Sequence, residues 1–283
     1  MIDLRDRRPV APPAFGASRP RSGGARRTHD AVTKARKRLE ELVKAGDRPP
    51  GDDDFPTHWK KAREPIAEAQ YHKCAFCETR IRAGYPGDVD HYRPKAAVTP
   101  VTWDASTKRL RNGAEIRPGY WWLAYSFENF VFSCSRCNNH KRTRFAVRGR
   151  RIAVTPDCDR RERPTLLNPF LHDPHEHLDF DETGGVRGQS LEGRCTVYIC
   201  GLDREHLTLE RRRVATALSR DIDDYEDAVV SNNELAQRQT LRRLLDACEP
   251  DAPYAALARA IIARRLGLTY RELSDAKRAG LLG

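Results

Sequence analysis

Three stretches decide how this sequence is read: Cys74-Ala75-Phe76-Cys77, then Asp88-Val89-Asp90-His91-Tyr92-Arg93-Pro94-Lys95, then Ser126-Phe127-Glu128-Asn129-Phe130-Val131-Phe132-Ser133-Cys134-Ser135-Arg136-Cys137-Asn138. A Cys-x-x-Cys turn holds two thiolates close enough to share one tetrahedral zinc, and a second such turn fills the remaining positions. Cys74, Cys77, Cys134 and Cys137 are therefore expected to bind one zinc. A shell closed by four thiolates leaves no place for substrate, so this zinc would be structural, clamping two segments far apart in sequence. A thioredoxin-like couple would need one pair only, in a strand-turn-helix setting. Cys158, Cys195, Cys200 and Cys248 stand outside zinc-turn spacing and read as core or surface thiols.

Composition limits the partners. The chain carries 51 Lys+Arg against 40 Asp+Glu, a net charge of +11 over 283 residues. Such a surplus favours an anionic partner through counterion release, although ordinary solvated surface accounts for it equally well. No apolar run approaches the ~20 residues of a membrane span. Met1 to Arg27 has no apolar signal-peptide core. The expectation is a cytoplasmic protein with no membrane partner, whose eight cysteines are not a disulfide framework.

Three regions are expected. Residues 1–27, rich in Pro, Gly and Arg, read as a flexible basic arm. Residues 28–150 hold N-terminal helices and the zinc-stapled segment. A helix over Asp30 to Ala45 is marked by Val32, Ala35, Leu39, Leu42 and Val43 on one face, with Gly46 as its cap. A second, near Trp59 to Tyr71, contains Pro65, which would kink or break it. Residues 151–283 begin with a loop at Pro164 to Phe170. A strand over His177 to Phe180 then turns at Thr183-Gly184-Gly185 and returns at Val186. From Arg194 the pattern becomes helical, with candidate helices at Leu207 to Val230, Glu234 to Cys248 and Tyr254 to Leu266.

The ordered set Cys-x-x-Cys, Asp-His, Asn, Cys-x-x-Cys-Asn is more specific than any part of it, and it resembles the zinc-containing HNH endonucleases. That resemblance implies an α+β fold: a ββα-metal core with structural zinc, embedded in a mainly helical protein. It implies that His91 is the general base and that Asp90 is a metal ligand. Asn129 would hold the histidine-bearing loop, and Asn138 would be the last metal ligand, with His140 a rival for that role. A carboxylate and an amide oxygen suit Mg²⁺ or Mn²⁺ rather than zinc. Neutral imidazole can take a proton from water near pH 7, as hydrolysis of a phosphodiester requires. Arg93, Lys95, Arg136, Lys141, Arg142 and Arg144 surround these residues and are expected to contact phosphates.

A finer resemblance rests on Cys74-Ala75-Phe76-Cys77-Glu78, the Asp-His-Tyr-Arg-Pro-Lys string, Trp121-Trp122-Leu123-Ala124-Tyr125, Leu166-Leu167-Asn168-Pro169 and Gly201-Leu202-Asp203. These are similar to the PtuB group of Septu and retron-linked antiphage systems. The similarity implies a nuclease partnered with a PtuA-like ATPase of the ABC/SMC type, with DNA favoured as substrate and tRNA or other RNA also open. The alternative is a catalytically silent zinc-dependent nucleic-acid-binding or adaptor subunit. It makes no use of the Asp90, His91, Asn129 and Asn138 set. His172, His175 and His177 are not at one regular spacing and read as ordinary loop and strand residues. Trp121, Trp122 and Tyr125 could stack bases, but an aromatic cluster beside a zinc motif reads first as packing.

Overall fold

The computed structural model describes residues 1–18, 20–21, 23–81, 87–149 and 161–281. Helix α1 spans Gly23–Ala45, and Val32, Ala35 and Leu39 form its buried stripe at the spacing of one helical face. It starts a full turn and more before Asp30, and Gly46 closes it at φ +75°. A tight turn at His58–Ala62 runs into α2, Arg63–Ala69. Pro65 lies in the first turn of α2, where a missing N–H costs nothing, so it starts the helix rather than kinking it.

The central element is a strand pair followed at once by a helix. β1 (Asp88–His91) runs antiparallel to β4 (Phe130–Ser133), with Asp90 opposite Val131 and His91 opposite Phe130. Helix α3, Ser135–Lys141, follows β4 after the single residue Cys134, whose Sγ accepts from Cys137 N. Between these strands the chain forms a hairpin of β2 (Thr99–Asp104) and β3 (Arg109–Asn112), and β5 (Arg144–Phe145) joins β2 in parallel.

The second half is mostly helical. A hairpin of β6 (Leu178–Phe180) and β7 (Val186–Gly188) precedes α4, Leu191–Cys200. The expected long helices are α5 (Glu205–Val230), α6 (Glu234–Cys248) and α7 (Ala255–Leu266), which pack on one another. A last helix, α8 (Tyr270–Arg278), opens with a capping box between Thr269 and Glu272. The protein is therefore mixed α+β and about half helical.

The flexible arm expected over 1–27 is corrected by the packing. Met1, Ile2, Leu4, Ala14 and Phe15 belong to the buried core. Arg8 donates to the carbonyl of Phe130 at 2.9 Å and to that of Phe127, and it lies over the Phe170 ring. Scattered apolar anchors and one arginine capping strand-end carbonyls hold down a segment that has no periodicity to reveal it. The line between 28–150 and 151–283 is also bridged. Lys73 Nζ donates to Ala252 O at 2.8 Å, Arg80 donates to Asp251 O at 2.7 Å, and Thr79 Oγ1 lies 3.2 Å from the Tyr254 hydroxyl.

Candidate metal centre and active-site cleft

The first Cys-x-x-Cys turn sits between α2 and β1, and the second joins β4 to α3. The Ala75 amide, donating to Phe132 O at 2.9 Å, docks the first turn directly on β4 beside the second. The sulfurs of Cys74, Cys77, Cys134 and Cys137 all lie within 4.8 Å of one another, and all four residues are buried. Cys77 Sγ is 3.8 Å from Cys134 Sγ. Zinc–sulfur bonds of about 2.3 Å in a tetrahedron set sulfurs about 3.8 Å apart, the separation of Cys77 and Cys134, so a cluster of this size could hold one zinc. Its surroundings suit thiolates as well. Arg204 Nη2 donates to Cys137 Sγ at 3.4 Å, Cys137 N donates to Cys134 Sγ at 3.5 Å, and Thr79 Oγ1 lies 3.2 Å from Cys77 Sγ. Such outer partners orient the sulfurs and disperse their charge.

A cleft of about 300 Å³ opens beside this cluster, and Asp88, Asp90, His91, Lys95, Asn138 and Arg142 are among its lining residues. His91 is held from behind. Its Nε2 is 2.9 Å from the carbonyl of Ala124. A carbonyl only accepts, so Nε2 carries the proton and Nδ1 keeps its lone pair. The ring also packs edge-on against Trp59 at 4.8 Å and Phe130 at 5.3 Å. Burial pushes the His91 pKa down to about 3, and the positive charges of Lys95 and Lys141 add to the shift. The imidazole is neutral at physiological pH.

Asn129 ties the segment after His91 in place. Its Oδ1 accepts from Arg93 N at 2.8 Å, and its Nδ2 donates to Arg93 O at 3.0 Å and to Leu123 O at 3.3 Å. Asp90 is buried, which raises its pKa against the opposing pull of Lys141. Lys141 Nζ bonds Asp90 Oδ1 at 3.0 Å and His91 O at 2.6 Å. The other oxygen, Asp90 Oδ2, is buried with no hydrogen-bond partner among the described residues. An orphaned carboxylate oxygen in a cleft that also holds an amide fits a hard divalent cation, with Asp90 and Asn138 as the residues to hold it.

The expected site residues do not all converge. His140 is exposed and does not line the cleft. It packs on Gly201, where a Cβ would meet its Nδ1 at 2.6 Å. Two residues along an α-helix is about 200° of rotation, so Asn138 and His140 face opposite ways. Of the expected phosphate contacts, Lys95 and Arg142 line the cleft. Lys95 also pairs with Asp52 at 3.1 Å. Arg93 and Lys141 are corrected: both are buried. Arg93 pairs with Glu162 at 2.5 Å between the Tyr120 and Phe145 rings, and Lys141 is committed to Asp90. A buried, paired cation is not offered to a ligand. Arg136 is exposed, and Arg144 bonds the carbonyl of His140.

Of the aromatic residues, Trp121 and Tyr125 are buried and Trp122 is half-buried. The three loop histidines have separate surroundings. His172 Nδ1 accepts from Asn168 N at 3.0 Å, His177 Nδ1 lies 2.8 Å from Ser190 Oγ, and His175 is half-buried. Cys195, Cys200 and Cys248 are buried free thiols, and Cys158 lies outside the described residues.

Sequence reasoning missed several residues. Asp88 lines the cleft with Asp90, and a period of two along β1 would have found it. Trp59 and the carbonyl of Ala124, which fix the His91 ring, carried no local signal. Neither did Glu162, which reaches Arg93 across 69 residues of chain.

The geometry thus defines a mixed α+β protein in which one short helix, α3, serves both a four-cysteine cluster able to bind zinc and a cleft holding a neutral histidine and a buried carboxylate. Comparison with curated proteins narrows the class. The chain is similar to the Septu protein PtuB of Bacillus mycoides (strain KBAB4), 35% identical over 147 residues, which are 50% of this chain and 47% of PtuB. It is also similar to the Septu protein PtuA of that strain, 30% identical over 145 residues, which are 50% of this chain and 19% of PtuA. The chain spans about half the length of the one relative and about a fifth of the other. No model of a protein family matches it. Among the described residues no helix is long and apolar enough to cross a membrane.

Proposed function

We propose that the chain is a metal-dependent endonuclease of the HNH type, hydrolysing phosphodiester bonds of nucleic acid as the effector of an antiphage defence complex. The observation that carries this reading is the meeting of Asp90, His91 and Asn138 on one cleft, with the His91 Nε2–H tied to the Ala124 carbonyl. The strand pair β1 and β4 followed directly by α3 supports a ββα-metal core. The four-cysteine cluster supports zinc as its brace. In this reading His91 Nδ1 takes the proton of an attacking water, and Asn129 keeps residues 91–95 aligned with the scissile phosphate. Lys95 and Arg142 hold the phosphodiester by charge. A divalent cation at Asp90 and Asn138, Mg²⁺ or Mn²⁺, would supply charge stabilisation for the phosphoryl group and the departing oxygen.

The defence role rests on the likeness to PtuB, a Septu protein. A PtuA-like ATPase is the proposed partner. The likeness to PtuA itself covers only a fifth of that protein and speaks of a shared segment rather than of contact. A silent binding subunit would have no use for a buried, unpartnered carboxylate oxygen and a neutral histidine at one cleft.

The test is cleavage of DNA, RNA and tRNA panels in Mg²⁺ or Mn²⁺, with and without the ATPase. His91→Ala should lose about 10²- to 10⁴-fold in rate, the contribution of a positioned base, with zinc content and fold unchanged. His140→Ala should cut as wild type does. A His91→Ala protein that cuts at the wild-type rate would sink the reading.

A further inference from the structure

A second cleft, of about 520 Å³, lies between α1 and the turn at Trp121 and Trp122, and the chemistry described above does not use it. Its walls are Leu39, Val43 and the two indoles, and Arg36, Glu40 and Lys44 complete the lining. The indole rings stand 5.8 Å apart at 86° to each other. Trp121 is 7% exposed, and its Nε1–H is buried with no acceptor among the described residues. The volume falls in the range of small-molecule sites, which combine apolar walls with a few polar groups.

Two further features say what would fill it. Helix α1 carries seven Lys/Arg against three Asp/Glu along Gly23–Ala45, a basic rod bordering the aromatic cleft. Basic surface beside an aromatic face is how proteins hold single strands without reading sequence: cations follow the backbone and rings stack on the bases. An aliphatic side chain from a protein partner offers neither the flat ring face nor the anionic backbone that these two features match.

The cleft is also mechanically close to His91. Arg36 Nη2 donates to the carbonyl of Tyr125 at 2.7 Å, and the Tyr125 ring is 6.0 Å from Trp59, which packs on His91. The next carbonyl back, that of Ala124, holds the His91 ring. Residues 121–125 therefore have the aromatic cleft at one end and the tether of the proposed base at the other.

We propose that this cleft receives an unstacked base of a single-stranded nucleic acid, with the basic face of α1 following the phosphates, so that the strand presented to His91 is single-stranded or locally unpaired. The inference rests on the nuclease reading for its substrate, but binding alone tests it. Fluorescence anisotropy with a labelled oligothymidylate of about twelve nucleotides, within the usual site size, is measured without divalent cation and compared with an oligouridylate and a duplex of equal length. Trp122→Ala should weaken both single strands about five- to hundredfold, as loss of one base stack does. Trp122→Phe should stay within a few-fold of wild type, and duplex affinity should change less than twofold. Circular dichroism and zinc content confirm folding. If Trp122→Ala does not fold, Val43→Glu, which sets a negative charge on the wall, should produce a similar loss.

Single-strand affinity equal to wild type in the folded Trp122→Ala or Val43→Glu protein would overturn the proposal. So would a wild-type protein that prefers duplex, or one whose cleft takes free nucleotides but no oligomer. These outcomes leave the nuclease reading standing. Conversely, a His91→Ala protein that still cuts would sink that reading while single-strand binding through Trp122 persisted.

Discussion

Replacing Asn129 tests how the segment that carries the proposed base is held. Asn129 is 4% exposed and makes three hydrogen bonds, accepting from Arg93 N and donating to the carbonyls of Arg93 and Leu123. In Asn129→Ala the Arg93 amide loses its acceptor and its carbonyl loses its donor, both in a buried setting. Stranding a buried polar group costs about 1–3 kcal/mol. Two such groups put the loss at roughly 3 kcal/mol, about a hundredfold in the folding constant. The more conservative Asn129→Asp should do no better near neutral pH, because it keeps the acceptor for Arg93 N but turns a second oxygen on two carbonyls. Urea unfolding of zinc-loaded protein, followed by circular dichroism, measures the difference. The slope should be unchanged, because the surface exposed on unfolding is the same. The cleavage rate should fall further than stability alone explains, because residues 91–95 lose their alignment. A stability loss below about 1 kcal/mol at constant slope would refute the idea that Asn129 clamps this segment.

Three other outcomes are expected. Lys141→Met leaves Asp90 buried and unpaired and should cost about 3–5 kcal/mol, whereas Lys141→Met combined with Asp90→Asn should cost much less; a double-mutant cycle in urea reads the coupling. Burial raises the pKa of the Cys195 and Cys200 thiols and pushes that of Cys248 up to about 12. Mass-spectrometric mapping after alkylation of native, zinc-loaded protein at pH 8 should find these three unmodified. Gly193→Ala places a methyl 1.9 Å from the His177 carbonyl at the contact of α4 with β7, and overpacking against backbone should cost about 1–3 kcal/mol, visible as a lower melting temperature.

Much of the site was legible because its signals are local. Paired cysteines at zinc-turn spacing announce themselves within four residues. The three long helices declared themselves through apolar positions every three or four residues, as in Ala215, Leu218 and Ile222 of α5, whereas Arg211, buried on the same face, carried no such signal. What escaped was set by contacts remote in sequence. Arg93 and Lys141 look like surface cations until Glu162 and Asp90 are seen beside them. The first eighteen residues look unstructured because Ile2, Leu4 and Phe15 anchor one at a time, with no period for a helix or strand to express. That Asn138 and His140 cannot share a face follows from helix geometry alone, but which of them meets the cleft depends on how α3 is packed.

The stapling of residues 251–256 onto the first cysteine turn bears on how this protein would be destroyed. A protease working inward from the C-terminal end meets α8 and α7 first. Once it passes Tyr254 and Asp251, Lys73 loses its carbonyl partner and Glu78, directly after Cys77, loses the amide of Ala256. The cysteine cluster is then uncovered from that side while β1, β4 and α3 are still covalently whole. Degradation from this end would loosen the cysteine cluster before it cut the strands and the helix that form the cleft, so the two halves of the cleft would part while each was still covalently whole.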